Sequence, residues 1–202
     1  MGTENVELMK MARESLKGNW GLAIGTFLVY YIIMGFLQGM AEYYPMISLG
    51  TLLITGPMTL GLALFSLSIA RNQYVRLQQI FDGFQNFGTA LGAYLLIIIF
   101  VILWMLLLII PGIIAALSYA MTFYIIADDP NIGPLDAIDK SKQMMNGYKM
   151  KLFLMFLMFL GMALLCILTL GIGFLWFIPF ANVTLAKFYM DIKDRNVIPE
   201  VI

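Results

Sequence analysis

The sequence predicts an all-α integral membrane protein: a bundle of about six transmembrane helices in three hairpins, each hairpin preceded by an amphipathic helix on the cytoplasmic side. Three observations predict it, namely composition, the length of the apolar runs and the placement of the basic residues. Of 202 residues, 61% are hydrophobic and only 12% are charged, whereas soluble domains carry about 25% charged residues. A soluble chain of this size could not bury so much apolar surface.

The composition also excludes several functions. Net charge is zero, so no basic excess points to a nucleic acid partner. The chain has no histidine and one cysteine, Cys166, which leaves no material for a disulfide, a zinc site or a Cys/His nucleophile pair. We therefore expect no catalytic residues, no bound cofactor and no metal, and we expect membrane lipids as the first partner.

Six apolar runs occur along the chain, and a helix of about 20 residues crosses a bilayer. They cover Trp20–Met40, Ile47–Ala70, Thr89–Ile110, Ile113–Ala127, Tyr148–Leu170 and Phe174–Met190. As one helix, Thr89–Ala127 would be roughly 58 Å long, and Tyr148–Met190 roughly 64 Å. Each pair must therefore turn back, and we expect the turns at Pro111-Gly112 and at Gly171-Ile172-Gly173. The fourth and sixth runs are short, so a re-entrant path stays open there.

The basic residues predict the orientation, because Lys and Arg that flank spans stay in the cytoplasm. In the predicted topology all twelve fall on one side: Lys10, Arg13, Lys17, Arg71, Arg76, Lys140, Lys142, Lys149, Lys151, Lys187, Lys193 and Arg195. The other side carries only Glu42. Both termini are therefore expected in the cytoplasm.

Three segments on the charged side have helical patterns with one apolar face. In the first, Thr3 can cap a helix that Gly18 ends, with Val6, Met9, Ala12 and Leu16 close to one face. In the second, the apolar stripe is Leu77, Ile80, Phe81, Phe84 and Phe87. In the third, Pro134 and Asp136 suit the first turn, Leu135, Ile138, Lys142 and Met145 recur along one side, and Asn146-Gly147 ends the helix. We expect each to lie on the inner membrane surface.

The order of surface helix, glycine-marked corner, long span, turn and shorter span occurs three times. We interpret residues 1–202 as one membrane domain with a threefold repeat over 3–70, 73–129 and 133–195. Residues 196–202 are expected to form a flexible tail.

Candidate chemical groups are few, and none lies deep within a run. Asp128, Asp129, Asp136 and Asp139 could hold Mg²⁺ against a lipid phosphate, but a solvated loop with helix first-turn acids is the favoured interpretation. Met155, Met158 and Met162 share one predicted helix face and could bind copper(I), although methionine is an ordinary apolar filler. The lack of an intramembrane carboxylate, histidine or lysine disfavours ion-coupled transport.

Polar groups within the runs suggest a second class of site. Asn182, with Thr184 and Ser118, could line a substrate path, although bonding between helices is the favoured role. Phe81, Phe84 and Phe87 could form a surface for a partner or for lipid. Small residues recur at four-residue spacing and predict close helix packing; they are Gly21 and Gly25, Gly35 and Gly39, Gly88 and Gly92, and Gly112, Ala116 and Ala120.

Five stretches resemble an uncharacterised bacterial membrane family, domain of unknown function 975. They are ARESLKGNW from Ala12 to Trp20, FDGF from Phe81 to Phe84, IPGII from Ile110 to Ile114, ADDP from Ala127 to Pro130 and LTLGIGFLW from Leu168 to Trp176. The resemblance spans almost the whole chain and implies a bacterial cell membrane. It implies no activity.

The favoured function is non-enzymatic: a membrane module that docks a partner or organises lipid at the cytoplasmic face. A homo-oligomer or another membrane protein is a further candidate partner. One alternative is a channel or transporter for a lipid, peptide or neutral solute. Another is a lipid-phosphate enzyme that uses the acidic residues of the 128–139 loop.

Overall fold

The computed structural model describes residues 3–196, and all of the regular structure in that range is helical. The α-helices are α1 (Asn5–Leu16), α2 (Trp20–Tyr43), α3 (Pro45–Ala70), α4 (Gln79–Asp82), α5 (Phe87–Leu107), α6 (Ile109–Tyr119), α7 (Thr122–Asp128), α8 (Pro134–Met144), α9 (Lys149–Leu168) and α10 (Phe174–Asn196); a 3-10 helix over Gly83–Asn86 joins α4 to α5. The all-α prediction is confirmed. Of the expected tail at 196–202, Asn196 is the last residue of α10, and the rest lies outside the described residues.

Five helical segments are long and apolar enough to cross a membrane: Trp20–Tyr43, Met46–Ala70, Gln79–Leu107, Ile109–Asp128 and Lys149–Leu168. Helix α10, which contains the sixth apolar run, is not among them. It is less apolar because Asn182, Lys187 and Asp191 interrupt its hydrophobic sequence. The count of six spans therefore stays a prediction.

Helix α3 lies at the centre of the bundle. About 61% of its most apolar stretch is buried inside the protein, against 17% for α2 and 11% for the segment containing α5. Its buried face includes Met58, Leu60, Phe65 and Ile69, and α2, α5, α7 and α10 all pack against it. The outer helices therefore leave most of their apolar side chains on the outside, as lipid-facing helices do.

Two glycines let α3 approach its neighbours unusually closely. A Cβ at Gly61 would overlap the backbone carbonyl of Ile80 in α4, and one at Gly56 would lie 2.7 Å from the carbonyl oxygen of Ala90 in α5. On the partner side, a Cβ at Gly83 would overlap the carbonyl of Pro57. Backbone therefore packs directly on backbone where the 3-10 segment meets α3.

Most of the small residues predicted to pack closely from their four-residue spacing have no such close neighbours. A Cβ at Gly21, Gly25, Gly35 or Gly39 would meet nothing within 4 Å, and the same holds for Gly88. The prediction of close packing at those positions within the chain is wrong, because they lie on outward faces of α2 and α5. Gly92 and Gly112 do contact neighbours, at Pro134 and Met105.

The turns fall near the predicted places, with one shift. Gly171 has a φ of +84° between α9 and α10, as its position predicts. The break between α5 and α6 is at the extended residue Leu108, not at Pro111-Gly112. Pro111 instead lies in the first turn of α6, where the missing N–H costs no hydrogen bond.

We call the end of the bundle that carries α1, α4, α8 and the basic residues the charged end. The helices there also differ in detail from the sequence prediction. Thr3 does not cap α1; its hydroxyl donates to Asp191. Val6 is half-exposed and Leu135 is exposed, while the buried faces are formed by Leu8, Ala12 and Leu16 in α1 and by Ala137, Ile138 and Met144 in α8. The second segment is one short α-helix followed by a 3-10 helix of equal length, and it buries Ile80 alone from its predicted apolar stripe.

Each of these helices packs beneath the span pair that belongs to another predicted repeat. Helix α1 contacts α10, the α4 and 3-10 segment contacts α3, and α8 contacts α5, α6 and α7. The charged-end helices therefore connect the third unit to the first, the first to the second and the second to the third.

Candidate functional site

The carboxylate of Asp128 is the centre of the first of two polar clusters at the charged end. Arg71 Nη2 donates to one oxygen at 2.6 Å, while Lys193 Nζ at 2.6 Å and the Tyr189 hydroxyl at 2.8 Å donate to the other. The Asp128 side chain is only 10% exposed. This cluster joins the ends of α3, α7 and α10, and it satisfies both carboxylate oxygens with charge-assisted bonds.

Asp191 is the centre of the second cluster, beyond the end of the sixth apolar run. It accepts hydrogen bonds from Lys151 Nζ at 2.8 Å, from Arg195 Nη2 at 3.1 Å and from the Thr3 hydroxyl at 2.6 Å. Burial acts to raise the pKa of Asp191, but the bonds from Lys151 and Thr3 outweigh it and hold that pKa below its ordinary value. The cluster ties α10 to α9 and to the start of α1.

Lys187 of α10 is buried. Its ammonium group donates to the backbone carbonyl of Ala70, the last residue of α3. A cation at a helix C-terminus interacts favourably with the partial negative charge of the exposed carbonyls. Lys187 therefore caps the central helix from its neighbour α10.

The acidic residues of the 128–139 loop do not converge. Asp128 is fully engaged by cations, Asp129 accepts a hydrogen bond from the N–H of Asn131, and Asp136 lies beside Gly133 at the start of α8. Among residues 3–196, no three Asp, Glu or Cys side chains are grouped to hold a metal ion. The methionines of α9 that the sequence places on one face differ in burial, since Met155 is fully buried and Met158 is 41% exposed.

The predicted path residues Ser118, Asn182 and Thr184 each donate to a carbonyl of their own helix. Their acceptors are Ile114, Ile178 and Phe180, at 2.7 to 2.9 Å. Ser118 and Thr184 are buried, and Ser118 also accepts a bond at its carbonyl from Ser141 of α8. Ser118 lies on α6, whereas the other two lie on α10.

The aromatic residues Phe81, Phe84 and Phe87 form a row on the outside of the protein. They are 43%, 37% and 40% exposed, and the rings of Phe84 and Phe87 stack with centroids 6.5 Å apart. Phe81 belongs to α4, Phe84 to the 3-10 helix and Phe87 to the start of α5. Glu42 is exposed at the opposite end of the bundle, at the end of α2.

Sequence reasoning missed the roles of Arg71, Lys187, Tyr189 and Asp191. A signal for them was present: Thr122-Phe123-Tyr124 to Asp128 is similar to Lys187-Phe188-Tyr189 to Asp191 in the next predicted unit. In the structure the two tyrosines of this pattern stack, with ring centroids 5.7 Å apart, and each carboxylate is the centre of one cluster. The sequence alone could not show which cation of another helix pairs with each of these two carboxylates.

The helices, their apolar outer faces and the ion-paired end define a polytopic α-helical protein of the membrane class. The chain belongs to a protein family of unknown function, DUF975, whose model matches residues 1–116 and 97–196. The resemblance found in the sequence is thereby confirmed. No curated protein and no solved structure matches this chain significantly.

Proposed function

We propose that this chain is a non-enzymatic module of the bacterial cell membrane that organises lipid at its cytoplasmic face. It crosses the membrane six times, with α10 as the sixth span, and both termini are cytoplasmic. The basic residues support this orientation, since all twelve lie in α1 or α8, in the connections that follow α1 and α3, at the start of α9 or in the second half of α10.

The observation that carries the proposal is how most hydroxyl and amide groups of the spans are used; the exceptions among the described residues are the hydroxyls of Thr26 and Ser66, which are buried without a hydrogen-bond partner. Thr51, Thr55, Thr59 and Ser68 of α3 each donate to the carbonyl four residues earlier, as Ser118, Asn182 and Thr184 do. A path through hydrocarbon needs polar groups free to replace the water around a solute. Because these groups bond to their own helices, they support a closed bundle rather than a transporter.

The charged end also argues against an enzyme of lipid phosphates. Such chemistry needs carboxylates free to hold a divalent cation or to accept a proton. The oxygens of Asp128 are already bonded to Arg71, Lys193 and Tyr189. The ion pairs fix helices to one another, which is a structural use of these residues.

The aromatic row favours lipid as the partner at this face. An exposed row of Phe beside the ends of spans suits the boundary between acyl chains and headgroups, where amphipathic segments insert their apolar side chains. Replacing Phe84 with Asp should therefore loosen residues 79–86 in nanodiscs, seen as faster amide hydrogen exchange. The control is Gln78→Glu, which adds a charge to an exposed side chain beside the same segment and should leave exchange unchanged.

The decisive experiment is reconstitution in liposomes with peptides, neutral solutes and fluorescent lipids. We expect no flux above that of protein-free vesicles. Flux that Asn182→Leu abolishes without loss of folded protein would favour the transporter instead.

Orientation is tested separately with single cysteines that replace Glu42 or Lys140 on a Cys166→Ala background. The two cysteines should react with impermeant reagents from opposite sides of the membrane.

A further inference from the structure

Two grooves on the outside of the bundle each have a basic residue at the charged end and apolar walls along the spans. The Arg13 groove has a volume of about 330 Å³. Arg13 and Trp20 lie at one end of it. One wall is α10, with Trp176, Phe177 and Phe180, and the other wall is α9. Arg13 is its one charged lining residue, and the other lining residues of the described chain are uncharged.

The Lys142 groove is similar in plan and measures about 190 Å³. Lys142 and Lys149 stand at its charged end, and Trp104 of α5 with Pro111 and Ser118 of α6 line the rest. An adjoining cavity brings Asp139 near the two lysines, so two cations face one acid. Within the described part of the chain, neither lysine nor Arg13 makes an ion pair or a side-chain hydrogen bond.

The two grooves occupy equivalent positions. Arg13 and Lys142 each lie seven residues before the first residue of the following span, which is Trp20 in α2 and Lys149 in α9. On the walls, residues of the two grooves correspond at one interval of sixty-two positions, in the pairs Trp104 and Cys166, Pro111 and Gly173, and Ser118 and Phe180. The side chains differ in kind at nearly every pair, while the cationic end and the apolar walls are common to both.

We propose that each groove holds one anionic phospholipid of the surrounding bilayer, with its phosphate on the basic residues and one acyl chain along the spans. The inference deepens the proposed lipid-organising function and rests on it. Charge complementarity selects the occupant: an unpaired cation next to the membrane surface attracts an anionic headgroup, and the apolar length beyond it excludes a soluble anion. Enclosed small-molecule sites measure about 300–1,000 Å³. The Arg13 groove is at the lower end of that range and the Lys142 groove is below it. Both grooves are open to the outside, so they suit a lipid that remains partly in the bilayer.

The native tryptophans give a direct measurement, because all three, Trp20, Trp104 and Trp176, line the grooves. The protein is placed in phosphatidylcholine vesicles with a small fraction of lipid brominated on its acyl chains, which quenches nearby indoles. The Trp104→Phe variant reports on the Arg13 groove, and the Trp20→Phe/Trp176→Phe variant reports on the Lys142 groove. Brominated phosphatidylglycerol should quench both more than brominated phosphatidylcholine at the same fraction.

Substitution of the cations should separate the grooves. Arg13→Gln should lower the preference for phosphatidylglycerol about fivefold in the first reporter and leave the second unchanged, and Arg13→Lys should retain it. Lys142→Gln combined with Lys149→Gln should have the reverse pattern. The matched controls Lys10→Gln in α1 and Lys140→Gln in α8 remove an exposed cation that lies outside the grooves, and they should change neither preference.

Equal quenching by the two brominated lipids would overturn the proposal. So would a loss from Lys140→Gln as large as that from the combined Lys142→Gln and Lys149→Gln variant, because it would show attraction to the surface as a whole rather than to a groove. Either result leaves the flux experiment untouched, whereas solute flux would contradict the proposed function without bearing on groove selectivity. Circular dichroism of each variant verifies that the exposed substitutions leave the helices intact.

Discussion

The first and third predicted units enter their spans through a sharp corner, whereas the middle unit does not. Gly18 and Gly147 have φ values of +85° and +79°, and each lies two residues before a span begins, at Trp20 and at Lys149. In the middle unit the span begins at Phe87, and the corresponding residue is Gln85 within a 3-10 helix. The chain there runs from α4 into α5 without reversing its backbone handedness.

The middle unit is instead held by close packing on the centre of the bundle. At the position where the other two units carry Arg13 and Lys142, it has Ile80, which is fully buried and whose carbonyl lies against Gly61. The middle unit, which packs closely on α3, therefore has neither the positive-φ glycine nor the outward-facing cation of the other two units. The residue seven positions before the span therefore packs against the central helix in the middle unit and lines an open groove in the other two.

The largest effect should come from filling the contact of the middle unit with α3. Gly61→Ala would place a Cβ against the backbone of Ile80, which cannot move as a flexible side chain can. We expect a loss of about 3 kcal/mol or more, at the upper end for overpacking, measured by thermal unfolding in detergent. Gly21→Ala is the control, because a Cβ there meets nothing within 4 Å; equal losses in both variants would show that the contact is not specific.

Neutralising Asp128 should have the next largest effect, since it joins the second unit to the other two. Asp128→Asn leaves Arg71 and Lys193 without their carboxylate, but both cations are partly exposed, at 29% and 41%. Solvent screening reduces the cost, so we expect about 2 kcal/mol. Asp129→Asn removes a neighbouring charge outside the cluster, and a similar loss there would contradict the assignment.

The Asp191 cluster predicts a dependence on pH at the start of α1. A carboxyl whose pKa is lower in the folded state than in the unfolded state stabilises the fold above its unfolded pKa, which is about 3.9. This contribution is lost as pH falls through the folded pKa. Amide exchange in α1, corrected for its intrinsic pH dependence, should therefore accelerate relative to α8 below about pH 4. Asp191→Asn should abolish that difference, and an unchanged difference in this variant would assign it to another group.

Features of the fold that extend over many residues could be predicted from the sequence, whereas single breaks and single contacts could not. Apolar runs and one-sided basic residues identified the membrane helices, because both features repeat over many residues. The break at Leu108 was missed by three residues, since an apolar residue in extended conformation carries no local mark and Pro111 fits inside the first turn of α6. Gly61 was missed because its close partner, Ile80, lies in another element.

The candidate site was predictable in kind but not in its members. Asp128 was identified, yet as part of an acidic group rather than as the partner of Arg71 and Lys193, because those pairs join residues distant in the chain. The favoured prediction for Asn182 and Thr184, bonding between helices, is wrong for their side chains, because each donates to a carbonyl four residues earlier in its own helix. Arg13 and Lys142 could be read as surface cations, but only the packing of α9 and α6 beside them forms the grooves.

The smallest effect should be found at the corners, and it sharpens the comparison most. An L-residue with a side chain in the left-handed region costs about 1–2 kcal/mol, so Gly18→Ala and Gly147→Ala should each destabilise the protein by about that amount. Neither introduced Cβ meets another atom within 4 Å, so the loss would report backbone conformation alone. Gln85→Ala in the middle unit should cost less than either, because the 3-10 helix there requires no positive φ. Thermal unfolding of the three variants in one detergent provides the measurement. A loss for Gln85→Ala equal to the other two would mean that the middle unit has the same constraint and that the distinction between the units is wrong.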